Sequence, residues 1–243
     1  MRHIDRPALT ARSQRWLDRW TTQIRDAADS KARADQMWPK GSTQTLQEIR
    51  DTLKGMNGDL AGRCMYCENS EAGHIDHFEP RSRAPERTFD WLNLLLACER
   101  CNSNHKRDRF LGPDGERPVD PTDDRPSKHL RFTPSGVVKH RDARGDWSIE
   151  LFGLDRDLLE QGRGDAWTTL LSLVPRYARL RAEGRDEDAE KTALAIQRGP
   201  FPTMRQLFFA IAADPKRGPI LLGNDYEPVA DAVAAHPELR ASP

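Results

Sequence analysis

Apolar residues recur at helical spacing over residues 9–37, where Trp16, Trp20 and Ile24 fall four apart and Leu9 and Leu17 flank the same face. The pattern predicts one amphipathic helix there, ended by Pro39 and Gly41. Ser42 suits the N-cap of a second helix carrying Leu46, Ile49 and Leu53, stopped by Gly55, Asn57 and Gly58. Residues 73–79 are short, with Ile75 and Phe78 apolar, and fit one arm of a β-hairpin; Pro80 and Pro85 place a loop after them. Residues 89–97 are apolar through Leu92, Leu94, Leu95 and Leu96, and 101–110 are polar and basic without Gly or Pro, as a helix requires. Beyond a loop at 112–126, residues 136–140 and 147–152 read as two strands joined across 141–146. Helical periodicity returns at 158–181, where Pro175 should kink or break it, and again at 186–197 and 203–213. The last twenty residues read as a weakly ordered tail. The expectation is an α+β protein in four parts: a helical 1–63, a chemistry-bearing core at 64–112, a loop and hairpin at 113–160, and a helical 161–243.

Composition narrows the function. The chain has 243 residues, 38 basic and 38 acidic, for a net charge of zero. That length allows one or two domains with a real core. No run approaches the roughly 18 apolar residues of a membrane span, and residues 1–11 lack an apolar signal core, so the expected setting is the cytoplasm, off the membrane. Zero net charge excludes coating of nucleic acid by bulk positive charge, and any contact must come from a local patch. One such patch is Arg100, Lys106, Arg107 and Arg109 against the single acid Asp108. A basic helix face is commonly just solvated; beside a phosphodiesterase site it can contact phosphate. Glu79 and Arg81 suit a surface pair.

The cysteines sharpen the picture further. All four, Cys64, Cys67, Cys98 and Cys101, fall in two C-x-x-C pairs. A cytoplasmic chain has little use for disulfides, and two such knuckles suit a four-thiolate structural zinc site. A single redox pair would leave the second pair unexplained. Between the knuckles runs His74-Ile75-Asp76-His77-Phe78-Glu79-Pro80-Arg81, then Asn93, and Asn102 follows the last cysteine. Phosphodiester hydrolysis needs a base to activate water, which His suits. It also needs a divalent cation to offset charge on the leaving oxygen. Carboxylate and amide oxygens suit magnesium or manganese. Asp76, His77 and Asn102 supply these parts. In an extended strand Asp76 and His77 point to opposite sides, so both can face one phosphate only if the strand bends there, which Pro80 and the following loop would allow. His74 reads as an exposed strand residue outside the site.

The string C-M-Y-C, H-I-D-H-F-x-P-R, W-L-N-L-L-L-A-C-x-x-C-N resembles the HNH (ββα-metal) nucleases over about fifty residues. The resemblance implies a zinc-stapled ββα-metal core embedded in a mostly helical protein, with His77 as general base. Asp76 and Asn102 would hold the catalytic metal, and Asn93 would brace the hairpin loop and so orient His77. Arg81, Arg100, Lys106, Arg107 and Arg109 would contact DNA. One departure stands out. The family commonly places Lys three residues after the final ligand, and here His105 occupies that place and Lys106 follows it, so either Asn102 or His105 is the last ligand.

Met1-Arg2-His3-Ile4, Trp91-Leu92-Asn93-Leu94 and Asp120-Pro121 leading to His129-Leu130-Arg131-Phe132 and Gly136 are similar, more weakly, to the PtuB-like HNH effectors of Septu and retron antiphage systems. That likeness implies a PtuA-like ATPase partner, docked on the C-terminal helices in a homo- or hetero-oligomer. A free-standing restriction or mobile-element nuclease, and a non-catalytic zinc-stapled adaptor, remain the competing readings.

Overall fold

Short polar side chains decide where the N-terminal helices begin. The computed structural model describes residues 1–38, 44–58, 62–69 and 71–240. In α1 (Ala11–Arg25) the Thr10 hydroxyl accepts from the Ser13 amide at 3.1 Å, and in α2 (Ser30–Met37) the Asp29 carboxylate accepts from Ala32 at 2.9 Å. The single helix expected over 9–37 is therefore two. Asp29 is extended and starts a new helix, because its side chain satisfies an amide that the interrupted ladder leaves open. The break turns α2 toward the loop after β1, so that Asp35 and Trp38 reach that loop. The expected stops at Pro39 and Gly41 and the cap at Ser42 lie outside the described residues. α3 (Gln44–Gly55) buries Leu46, Ile49 and Leu53 as its periodicity predicts.

The small sheet between the cysteine pairs is antiparallel. β1 (His74–His77) pairs with β2 (Leu94–Ala97) in the register His74–Ala97, Ile75–Leu96, Asp76–Leu95 and His77–Leu94. All four β2 residues are buried, consistent with an apolar run without alternation. A π-helical segment, Arg100–Lys106, follows directly. The ββα order matches the sequence expectation, with a shorter helix than 101–110.

Two expectations further along are corrected. Residues 147–152 are not a strand. They form the end of α4 (Ala143–Phe152), capped by Asp142 accepting from Gly145 at 2.8 Å and closed by Gly153 at φ 57°. Trp147, Ile149, Leu151 and Phe152 are all buried, and a short apolar run buried on every side looks the same in helix and strand. The true partner of β4 (Val138–His140) lies upstream, in β3 (Leu130–Phe132). Nor do residues 226–240 form a loose tail: α9 (Tyr226–Ala235) buries Val229, Ala232 and Val233, and Leu239 just beyond it is fully buried. They pack on the long helix α5 (Asp157–Ala182) and on α7 (Pro202–Ala212).

α5 continues through Pro175 as one helix, so the proline does not break it. Its packing on α6 (Asp186–Arg198) and α7 outweighs the one ladder hydrogen bond that proline removes. α8 (Gly218–Leu222) is short. One buried cluster runs from Met1 to Leu239 and includes the four cysteines. The expected division after residue 160 falls inside α5.

Candidate active site and four-cysteine cluster

Each C-x-x-C turn is closed by its own backbone. Glu68 donates to the Cys64 carbonyl at 2.9 Å, and Asn102 donates to the Cys98 carbonyl at 3.0 Å. The first knuckle is fastened to β2 by the Met65 amide on the Leu96 carbonyl, 2.9 Å. These turns bring all four Sγ atoms within 4.8 Å of one another, with Cys67 and Cys98 at 3.9 Å. A tetrahedron with Zn–S of about 2.3 Å has edges of about 3.8 Å, so the cluster is sized for zinc. All four cysteines are buried and none is in a disulfide. Burial pushes the Cys64 thiol up, and a bound cation would favour its thiolate. Arg156, at the start of α5, donates to Cys101 Sγ at 3.7 Å and places positive charge where thiolates would gather. Tyr66, inside the first knuckle, stacks on Phe152 of α4 at 3.9 Å.

β1, the loop after it, α2 and the π-helical segment line a cleft of about 480 Å³. Asp76, His77, Asn102 and His74 all open onto it. β1 ends at His77, so strand alternation does not carry Asp76 and His77 to opposite sides of the site. His77 Nε2 lies 2.9 Å from the Thr88 carbonyl. A carbonyl only accepts, so Nε2 donates, and in the neutral ring the lone pair belongs to Nδ1. Burial, aided by the charges of Arg81 and Lys106, brings the His77 pKa down to about 3. The ring is therefore neutral at neutral pH. The Trp38 ring meets it edge-on at 4.3 Å.

Both oxygens of Asp76, which is 3% exposed, are engaged. Lys106 Nζ donates to Oδ1 at 2.9 Å and the Tyr66 hydroxyl donates to Oδ2. Lys106 Nζ also donates to the His77 carbonyl at 2.6 Å. Burial and the neighbouring carboxylate hold the Tyr66 phenol well above its usual range, so it remains a donor. Asn93 is fully buried outside the cleft. Its Oδ1 accepts from the Glu79 amide at 2.8 Å, and its Nδ2 donates to the carbonyls of Glu79 and Arg87 at 3.0 and 3.1 Å. The Asn93 carbonyl also accepts from Phe78 at 2.8 Å. One side chain thus ties both ends of the loop that carries Thr88.

The structure separates residues that the sequence grouped. His105 does not reach the cleft. Its ring packs against Gly153, where a Cβ would meet it at 2.4 Å, because Gly153 closes α4 against that side of the π-helical segment. Lys106 is not a surface cation: it is 1% exposed and spent on Asp76, since a buried carboxylate needs a counter-charge. Arg109 pairs with Glu150 at 3.0 Å and lies over Trp147, away from the cleft. Arg100 is exposed and also lies outside it. Of the basic residues singled out, Arg81, Arg107 and the buried Lys106 line the cleft. Arg81 pairs with Asp35 at 3.0 Å, while Glu79 pairs with Arg83 and Arg87, so the expected Glu79–Arg81 pair is absent. His74, set aside in the sequence, does line the cleft. Tyr66, Thr88 and Trp38 carried no signal at all, being a residue between cysteines, a backbone carbonyl and an apparent core aromatic.

The donor chemistry fits a hard dication. A carboxylate offers about four lone-pair positions, of which Lys106 and Tyr66 use two, and Asn102, which carries an amide oxygen, lines the same cleft.

Among known proteins, the HNH endonuclease family model matches residues 64–108, which span both knuckles, the sheet and the π-helical segment. The Septu protein PtuB of Bacillus mycoides (strain KBAB4) is 27% identical over 150 residues, covering 48% of this chain and 50% of that one. The Septu protein PtuB of Bacillus thuringiensis is 28% identical over 100 residues, covering 39% of this chain and 37% of that one. The chain therefore matches about half or less of the length of these curated relatives. With the cysteine cluster and the strand-strand-helix order around it, residues 64–108 are a domain of the HNH endonuclease family, carried on a chain similar to the Septu proteins PtuB.

Proposed function

We propose that the chain is a metal-dependent endonuclease that hydrolyses DNA phosphodiester bonds, with zinc in the four-cysteine cluster and magnesium or manganese in the cleft. The observation that carries this is the state of His77: neutral, fixed through Nε2 to the Thr88 carbonyl, and placed with Asp76 and Asn102 on one cleft. His77 Nδ1 takes the proton of a water molecule as it attacks phosphorus. Asp76 and Asn102 would hold the dication, which neutralises charge on the leaving oxygen. Lys106 and Tyr66 hold the Asp76 carboxylate in place. Asn93 positions His77 by fixing the loop that ends in the Thr88 contact. Arg81 and Arg107 bind flanking phosphates. The similarity to PtuB supports a role as the nuclease effector of a cytoplasmic antiphage system gated by a PtuA-like ATPase.

The deciding experiment is plasmid cleavage in magnesium by the wild type and His77→Ala. The rate should fall by about 10²–10⁴, with zinc content and circular dichroism unchanged. An undiminished rate removes His77 as the base and leaves the non-catalytic adaptor reading ahead. Removing magnesium should stop cleavage while the cluster keeps its zinc.

A further inference from the structure

A second concavity, about 590 Å³, opens among the N-terminal segment, the turn Pro126–Lys128, β3, α7 and the start of α8. Among the described residues it shares no lining residue with the HNH cleft. Five arginines converge on it: Arg2, Arg125, Arg131, Arg141 and Arg217. Among the described residues its one acidic lining residue, Asp5, is fully exposed and pairs with His3 at 3.4 Å. Among the described residues, Arg125, Arg131, Arg141 and Arg217 form no salt bridge, whereas Arg81, Arg87, Arg109, Arg144 and Arg185 all do. Arg2 has a buried Nε with no hydrogen-bond partner. Gathering like charge without counter-charge costs Coulomb energy that a bound anion would return.

Shape and lining select among anions. Part of the lining is apolar, made by Leu130, Phe132 and Leu207. The volume falls within the roughly 300–1,000 Å³ of small-molecule sites. A duplex strand presents about one charge per 3.4 Å of axis, so a pocket this size would meet only two or three of its phosphates. A nucleoside polyphosphate carries its whole charge in one compact group, with a base to lay on the apolar wall. Guanidinium forks match phosphoryl oxygens in pairs.

We propose that this five-arginine pocket binds a nucleoside polyphosphate, separately from the HNH cleft and whether or not that cleft is a nuclease. The test uses the full chain, with calorimetric titration of ATP, ADP, inorganic tripolyphosphate and a twelve-nucleotide single strand. ATP and ADP should bind and raise the melting temperature. Arg131→Ala with Arg217→Ala, both at exposed side chains, should weaken binding at least tenfold while the unliganded melting temperature stays put. His77→Ala should bind nucleotide like the wild type. Tripolyphosphate as tight as ATP would overturn the nucleoside part. An oligonucleotide that binds where nucleotides do not, and is lost in the double variant, would overturn the proposal in favour of an extended nucleic-acid contact. Binding that the double variant leaves intact, or no binding of any probe, would also overturn it.

Discussion

At the scale of the residue, the site rests on buried polar groups whose partners are all supplied by the fold. Lys106 and Asp76 are 1% and 3% exposed, so removing one strands the other's charge. Lys106→Met should cost about 3–5 kcal/mol, and Asp76→Asn in the same chain should recover part of it. Urea unfolding of the two singles and the double measures the coupling. Additive losses would show that the pair is not a unit. Asn93→Ala leaves a buried amide and two carbonyls with fewer partners, at about 1–3 kcal/mol, or roughly 2–4 °C per kcal/mol for a chain of this size. Cleavage should fall with it, since Thr88 sits in the loop that Asn93 closes. His77 makes stability depend on pH. Its pKa is about 3 in the folded chain, against an ordinary value near 6.5. Between those values the unfolded chain binds a proton that the native chain refuses. Stability is therefore full above about pH 6.5 and declines by up to about 1.4 kcal/mol per unit as pH falls toward 3. His77→Gln should flatten that slope in urea melts taken from pH 4 to 7.

At the scale of the element, the outlying helices are there to hold the core. α4 presses Gly153 on His105 and Phe152 on Tyr66, the residue that donates to Asp76. α2, turned by the cap at Asp29, brings Trp38 against His77. α9 buries apolar side chains against α5 and α7, and so belongs to the core. Leu239→Ala, at a fully buried position just past α9, should cost about 2–5 kcal/mol. A melting temperature unchanged from the wild type would return the segment to a tail.

At the scale of the whole molecule, the cysteine cluster joins residues 64–67 to 98–101, and Arg156 ties it to α5. One buried cluster then extends from these thiols to both ends of the described chain. Cys98→Ser, or metal removal by a strong chelator, should therefore lower the melting temperature of the entire chain in one transition. Zinc in such sites contributes on the order of 10 kcal/mol. Loss of zinc without a change in melting would refute a structural role. Net neutrality also acquires a meaning at this scale: Arg81 and Arg107 face the cleft while five other arginines gather in a separate pocket.

The sequence by itself determined the donor types, the knuckle spacing and the strand-strand-helix order. Each depends on residues close along the chain, where spacing and periodicity suffice. It likewise settled the amphipathic helices α3, α6 and α7. Tertiary structure alone decided the rest. Lys106 and Asp76 stand thirty positions apart and are paired by burial, which assigns a counter-charge to every carboxylate taken from water. His105 was turned from the cleft by Gly153, and the apolar run at 147–152 became helix through packing that periodicity cannot register. The five arginines at positions 2, 125, 131, 141 and 217 form no motif in the sequence, because only the packing of distant segments makes them neighbours.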